Sequence, residues 1–187
     1  TFIPAIWQNT ASIAYAVDDW SEYVKAHPRE SFYLNCRTHL GSTRTGEVDA
    51  KLGFSGKMSR DKGHVVGKER AYHTNSLLLE KDFFETSASD FNDNKFNIYF
   101  YDGDHTEVSQ YKALEHMLNI GCLEDEFIFL VDDYVWEDVR NGTQRAIKDL
   151  NLKVIYEKEF IPECVRKQEK FDEIGWWNGF YISLLGK

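Results

Sequence analysis

Short apolar runs alternate with amphipathic stretches along this chain. The apolar runs predict strands at Ala11–Val17, Ser76–Glu80, Ile98–Tyr101, Phe127–Val131, Leu152–Phe160 and Trp177–Leu185. Apolar residues at helical spacing predict helices over residues 1–10, Glu22–Ala26, Glu30–Leu40, Thr106–Ile120 and Trp136–Leu150. Such alternation is typical of an α/β fold, with a mostly parallel sheet covered by helices on both faces.

The clearest helical pattern runs from Thr106 to Ile120, and Gly121 directly after it is expected to end the helix. The side chains expected to share its buried face are Val108, Tyr111, Leu114, Met117 and Leu118. In the next helix, the pair Asn141-Gly142 predicts an interruption, with Thr143 capping the part that follows. The two closing strands have no long helical pattern between them, which predicts an antiparallel edge pair.

The segment Gly41–Tyr72 differs from the rest of the chain. It is rich in glycine, contains no long apolar run and has a local excess of basic residues. These features predict an insertion at about residues 41–72 within a single domain spanning residues 1–187. Three interpretations stay open for it: a solvated surface loop, a lid over an acidic site, or a disordered segment.

Composition narrows the classes of function. The 187 residues carry a formal net charge of -9, which argues against general binding to nucleic acid or to anionic membranes. No apolar run is long enough for a membrane span. The three cysteines, Cys36, Cys122 and Cys164, form no CxxC pair, so we expect free thiols in a reducing compartment and a cytoplasmic location.

Acidic residues recur where the predicted strands end. The pairs are Asp18/Asp19, Glu80/Asp82, Asp102/Asp104 and Asp132/Asp133. In an open α/β sheet these ends share one edge, where ligands bind. Carboxylates there can accept hydrogen bonds from a nucleotide-like cofactor, or they can hold a divalent cation that prefers oxygen ligands.

Asp102, Asp132 and Asp133 are the strongest candidates for metal ligands, because adjacent strands would bring three carboxylates into one small volume. The alternative is that these residues cap the helices that follow, and Asp104 is the expected cap of the helix beginning near Thr106.

His105 lies beside this cluster and is a candidate general base, although an isolated loop histidine is more often a surface residue. Three tryptophans are open to two interpretations, lining of a substrate pocket or core packing. They are Trp136, Trp176 and Trp177.

Four segments together resemble a known family. They are Asp18 after a short strand, YDGDHTE at 101–107, VDDY at 131–134 and WWNGFYISLL at 176–185. The combination is similar to class I S-adenosylmethionine-dependent methyltransferases, in the branch with a DGDH-type motif that includes macrolide-sugar O-methyltransferases. The resemblance covers roughly residues 1–35 and 75–187.

The resemblance implies a Rossmann-like sheet of seven strands with an antiparallel last strand. It also implies that Asp18 binds the cofactor ribose, that Asp82 lies near the adenine, and that Asp102 belongs to the cofactor edge. Asp102, Asp132 and Asp133 match the positions that hold magnesium in metal-dependent relatives. His105 stands where catechol-type relatives carry a catalytic lysine.

One part of the family pattern is missing from this sequence. The first strand and the glycine-rich loop that binds the methionine end of the cofactor would precede Thr1, so we expect an N-terminally incomplete domain. Without that strand, the neighbouring backbone groups would need another segment or a partner chain, which makes a homodimer a candidate.

The expected function is magnesium-assisted O-methylation of a small hydroxylated substrate, with His105 or Asp102 helping to deprotonate the hydroxyl group. An alternative is a non-catalytic or truncated methyltransferase-fold domain that acts as a binding or dimerisation module. A receiver-like phosphoacceptor domain is the third hypothesis, but the main acidic cluster lies too late in the chain for it.

Overall fold

The structure is a computed structural model that describes residues 14–19, 76–162 and 178–187. Several predictions lie outside these residues: the helices at residues 1–10, Glu22–Ala26 and Glu30–Leu40, the insertion at about 41–72, and the positions of Trp176 and Trp177. The chain divides into two compact units, Thr1–Thr86 and Ser87–Lys187, and each is described by itself.

A parallel pair of strands forms the described part of the first unit. Strand β1, Ala14–Val17, pairs with strand β2, Ser76–Leu79, so that Val17 lies opposite Leu79. The Asp18 N–H continues this ladder by donating to the Leu79 carbonyl at 3.1 Å. Both strands agree with the apolar runs, and their parallel direction brings Asp18 and the residues after β2 to the same end of the pair.

The described part of the second unit combines four strands with two α-helices, after a short 3-10 helix at Ala88–Phe91. Its elements are β3 Phe96–Tyr101, α1 Glu107–Asn119, β4 Leu123–Asp132, α2 Glu137–Asp149, β5 Lys153–Phe160 and β6 Phe180–Gly186. The strands lie in the order β3-β4-β6-β5. The β3–β4 pair is parallel, whereas β6 is antiparallel to both β4 and β5. The fold of this unit is therefore α/β, with a mixed sheet.

The closing strands β5 and β6 pair antiparallel, as predicted, with Phe160 opposite Phe180. They lie at one end of the described sheet, so the predicted edge pair is confirmed, and the edge strand itself is β5 because β6 lies between β4 and β5. The sequence could not reveal this, since the long apolar runs of β4 and β6 allow either neighbour. All eight residues of β5 are exposed, consistent with its place at the edge of the described sheet.

One face of this sheet carries the core. Its buried side chains alternate along the strands and are Tyr99, Tyr101, Phe127, Phe129, Val131, Tyr181 and Leu185. The Tyr99 hydroxyl donates to the Ala113 carbonyl of α1 at 3.3 Å, which places α1 over this face. Tyr134, which stacks on Tyr181, accepts a hydrogen bond from Gln144 of α2. Both described helices therefore lie on one face, and the predicted cover of the other face falls outside the described residues.

Helix α1 follows its prediction closely, with two corrections. The N-cap is Thr106, whose Oγ1 accepts from the Ser109 N–H at 3.2 Å, so the prediction that Asp104 caps the helix is wrong. Val108 was placed on the buried face but is 54% exposed. The residues buried by this helix are Ser109, Gln110, Ala113, Leu114 and Met117. Gly121 takes a left-handed φ of +72° directly after the helix, as its predicted stop requires.

Helix α2 is continuous, so the predicted interruption at Asn141-Gly142 is wrong. Gly142 is where α2 meets α1: a Cβ there would lie 2.6 Å from the Gln110 Cβ and would also collide with the Glu107 carbonyl oxygen. The glycine therefore permits close packing of the helices. Thr143 is buried inside the helix and caps nothing.

Smaller differences concern element boundaries. Strand β3 begins two residues before the predicted Ile98, and β4 begins at Leu123, four residues before the predicted Phe127. The acidic start of β4 hides this extension, because Glu124, Asp125 and Glu126 break the apolar pattern that predicts a strand. The two described α-helices have 13 residues each, and none of the described helices is long and apolar enough to span a membrane.

Candidate functional site

The carboxyl ends of β3 and β4 form the candidate site. These strands are parallel with Tyr101 opposite Val131, so the residues that follow them, Asp102 on one strand and Asp132-Asp133 on the other, leave from the same end. His105 also lies here, in the loop between β3 and α1. Asp102, Asp132, Asp133 and His105, the residues of this unit predicted for catalysis or metal binding, thus all follow the same end of the β3–β4 pair.

The two other predicted cofactor residues belong to the first unit. Asp18 directly follows β1 and is partly exposed. Asp82 is exposed and its Oδ1 accepts from the Phe84 N–H at 2.8 Å, which caps a short 3-10 helix at Phe83–Glu85. Asp82 therefore has a local structural role, whatever else it binds.

The loop after β3 is held in shape by its own side chains. A Cβ at Gly103 would lie 2.6 Å from the Tyr101 hydroxyl, so a larger residue there would have to displace that buried ring. The Tyr101 hydroxyl lies 2.9 Å from the Ser109 Oγ in α1, and the Thr106 hydroxyl donates to Asp104 at 2.8 Å. These contacts fix the stretch that carries His105.

His105 is paired with Asp133. Its Nε2 lies 2.9 Å from the Asp133 Oδ2, and the two side chains are 47% and 11% exposed. The imidazole also stacks against the indole of Trp136, with ring centroids 6.0 Å apart and planes inclined by 19°. A half-exposed histidine with a buried carboxylate behind it is the arrangement expected of a general base that is oriented for reaction.

Asp133 has a second partner on its other oxygen. The Asn178 Nδ2 donates to the Asp133 Oδ1, while the Asp133 N–H donates to the Asp132 Oδ1 at 2.9 Å. Asp133 takes a left-handed φ of 55°, which is uncommon for a residue other than glycine and is most often accepted by Asn and Asp. The carboxylate is thus held between Asn178 and His105.

Asn178 is a site residue that the sequence did not predict. It precedes Gly179, whose φ is +72° and whose Cβ position would lie 2.8 Å from the Val135 Cγ1. The Val135 N–H donates to the Asn178 carbonyl at 3.0 Å, which ties the start of β6 to the loop after β4. The Asn-Gly pair before an aromatic strand was the available signal, but it indicates only a turn.

Asp102 shares this edge with two further acids. The protein packed around its carboxyl group desolvates it, and the charges on Asp132 and Asp133 repel it, so the pKa of Asp102 is raised; the charge on His105 acts in the opposite direction. Asp102 keeps contact with solvent. Desolvation of this carboxyl group is therefore partial.

The three carboxylates provide the oxygen ligands that Mg²⁺ prefers, but their arrangement does not fit a magnesium site. Both oxygens of Asp133 are engaged, one by His105 and the other by Asn178. Among the described residues, no group of three or more His, Cys, Asp or Glu side chains is placed to hold a metal ion. We therefore derive no catalytic step through a metal, and magnesium assistance stays a prediction.

Trp136 is the predicted pocket residue that the structure describes at this edge. It occupies the N-cap position of α2 and is 48% exposed, so it is not a core residue. Its stacking on His105 places an exposed aromatic surface beside the candidate base.

Comparison of the sequence with models of known protein families finds no match, and comparison with curated proteins finds none either.

Proposed function

We propose that this chain is an S-adenosylmethionine-dependent O-methyltransferase of a small hydroxylated substrate. The observation that carries the proposal is the His105–Asp133 pair, with 2.9 Å between Nε2 and Oδ2, at the carboxyl ends of two parallel strands. O-methylation needs a group that removes a proton from a hydroxyl, and an oriented imidazole is suited to that task near neutral pH.

His105 acts as the base in this proposal. The ring nitrogen that does not face Asp133 takes the hydroxyl proton, and the neighbouring carboxylates stabilise the positive charge that the ring gains. Asp133 is the nearest of them, and Asp102 interacts electrostatically with the same ring. Trp136 limits the directions from which a substrate reaches His105, because its indole covers one side of the imidazole.

The cofactor supplies an electrophilic methyl group when it is bound. The resemblance assigns cofactor binding to Asp18, Asp82 and Asp102, and the proposal keeps that assignment residue by residue. Asp18 suits hydroxyl groups such as those of a ribose, because its carboxylate follows a strand of a parallel pair and is partly exposed. Asp82 is exposed but also caps its own 3-10 helix, so its proposed place near the adenine rests on the resemblance.

The strand arrangement supports the same family proposal. The last strand, β6, is antiparallel to both of its neighbours, as the resemblance to class I methyltransferases implies. The first unit contributes a further parallel pair. A Rossmann-like sheet is part of the proposal.

The test compares methyl transfer by the chain and by a His105→Gln variant. Transfer is followed with S-adenosylmethionine labelled in the methyl group and a panel of small phenols, sugars and other hydroxylated acceptors. Loss of a general base typically lowers the rate by about 100-fold or more, so the variant should lose that much of kcat. Repeating the assay with EDTA and with added Mg²⁺ tests magnesium assistance separately.

His116→Gln is the matched control. His116 lies in the last turn of α1, far along the helix from His105, and its replacement should leave the rate within about twofold of the parent. Absence of both cofactor binding by calorimetry and methyl transfer to any acceptor would overturn the proposed function and favour a binding module.

A further inference from the structure

We propose that Asn178 is a positioning residue that fixes the orientation and tautomer of His105 through Asp133. The kinetic part of this inference rests on the proposed function, whereas the structural part stands on the geometry alone. The three side chains form a continuous chain of hydrogen bonds, from the Asn178 amide to Asp133 Oδ1 and from Asp133 Oδ2 to His105 Nε2.

The first step concerns the rotation of the Asp133 carboxylate. The terminal torsion of an aspartate has a broad, roughly twofold energy profile, so it does not hold its oxygens in one direction by itself. The Asn178 amide donates to Oδ1 and thereby holds Oδ2 toward His105. Asp133 is mostly buried, with its side chain 11% exposed, so few water molecules can replace Asn178 in this contact.

The second step concerns the support of Asn178 itself. Its carbonyl accepts from the Val135 N–H at 3.0 Å, and Gly179 allows the chain to approach Val135 closely. Val135 follows Asp133 by two residues in the loop after β4, and Asn178 lies just before β6. The backbone bond between Val135 and Asn178 therefore holds the Asn178 amide close to the Asp133 carboxylate. The backbone that carries the amide is therefore tied to the loop that carries Asp133.

The third step concerns the proton on His105. An ionised carboxylate only accepts hydrogen bonds, so the Nε2 that faces Asp133 must carry the proton. In a neutral imidazole, Nδ1 is then the acceptor that can take a proton from a substrate. By fixing the position of Oδ2, Asn178 selects this tautomer, as outer partners do for histidines at other functional sites.

The experiment measures the tautomer directly. Long-range ¹⁵N–¹H correlation spectra of the imidazole distinguish Nε2–H from Nδ1–H, and the His105 signals are assigned by their loss in His105→Gln. The parent chain should show the Nε2–H form, and Asn178→Ala should show a mixture of both forms. Under the proposed function, Asn178→Ala should also lower kcat by about 10- to 100-fold with little change in KM.

Asn141→Ala is the matched control, because Asn141 is an exposed asparagine on α2 outside the site, and its spectrum and rate should equal those of the parent. An Nδ1–H form in the parent chain would overturn the inference, whether or not Asn178→Ala folds. A folded Asn178→Ala chain with an unchanged tautomer would overturn it as well. If the tautomer shifts as expected but no methyl transfer occurs in the parent, the proposed function fails while the positioning role of Asn178 stands.

Discussion

Asp133 combines two features that restrict what can replace it. Its φ of 55° lies in the left-handed region, which costs a residue other than glycine about 1 kcal/mol or more. Three contacts offset that cost: the Asp133 N–H donates to the Asp132 carboxylate, and the Asp133 carboxylate pairs with His105 and accepts from Asn178. Asparagine keeps the shape and accepts the same backbone, so Asp133→Asn isolates the loss of charge from the loss of fold.

Asp102 should weaken the fold at neutral pH. Its raised pKa means that the folded state prefers the protonated form, so the stability that it contributes is present below about pH 4 and is lost as pH rises through the folded pKa. We expect Asp102→Asn to be more stable than the parent at pH 7, by less than about 1 kcal/mol because solvent screens this group.

Urea unfolding at pH 7 and near pH 3 measures this difference, which should disappear at the lower pH. Glu124→Gln, an exposed carboxylate in β4 away from the site, should change the free energy of unfolding by no more than a few tenths of a kcal/mol. Equal or lower stability of Asp102→Asn at pH 7 would show that Asp102 contributes an attractive contact to the folded chain.

At the scale of elements, the contact between α1 and α2 depends on Gly142. A methyl group there collides with the backbone of Glu107 and with the Gln110 side chain, and a carbonyl in a helix cannot move aside easily. We expect Gly142→Ala to lower the free energy of unfolding by about 1 to 3 kcal/mol, although alanine has the higher helix propensity. Chemical denaturation followed by circular dichroism measures this change in the free energy of unfolding.

Asn141→Ala provides the comparison, because it tests helix propensity at the neighbouring exposed position without the contact. It should stabilise the chain slightly, by about 0.5 kcal/mol. If Gly142→Ala were more stable than the parent, α1 and α2 could move apart at low cost, and the close contact at Gly142 would not be needed for stability.

Helices and strands in which apolar residues recur at a regular spacing were predictable from the sequence. The predicted ends of β5 and α1 agree with the structure to within one residue. An apolar run marks β5, and apolar residues at helical spacing followed by Gly121 mark α1. The continuity of α2 was not predictable, because an Asn-Gly pair signals a turn and only the approach of α1 shows why glycine is there. Tertiary contact overrode local propensity at that position.

The site was predictable in part, for a related reason. Asp102, Asp132, Asp133 and His105 were found because strand ends of a parallel pair meet at one edge. The pairing of Asp133 with His105 was not predictable, because it depends on the left-handed backbone of Asp133 at φ 55° and on Asn178, which lies 45 residues further along the chain. No local pattern records a contact over that separation.

Across the whole second unit, buried tyrosines should limit stability at high pH. Burial raises the pKa of Tyr99, Tyr134 and Tyr181 well above the ordinary value, so the folded state holds these protons longer than the unfolded chain. Stability is then full below about pH 10 and falls as pH rises beyond it, by about 1.4 kcal/mol per pH unit for each tyrosine.

Urea unfolding between about pH 9 and pH 11 tests this expectation. Over this range Tyr181→Phe should lose about 1.4 kcal/mol less stability than the parent, because one buried ionisation is removed. Tyr156→Phe should leave the slope unchanged, since Tyr156 is 53% exposed. A parent chain whose stability is flat over this range would contradict the raised pKa values.

The position of β6 has a consequence for how the chain is made. The ribosome makes β6 after β4 and β5, yet β6 lies between those two strands. Before β6 is in place, β4 and β5 lack the strand that both of them pair with, and Asp133 lacks its hydrogen bond from Asn178. A nascent chain in which β6 has not yet joined the sheet therefore cannot hold His105 in its final orientation, and the proposed activity has to wait for that strand.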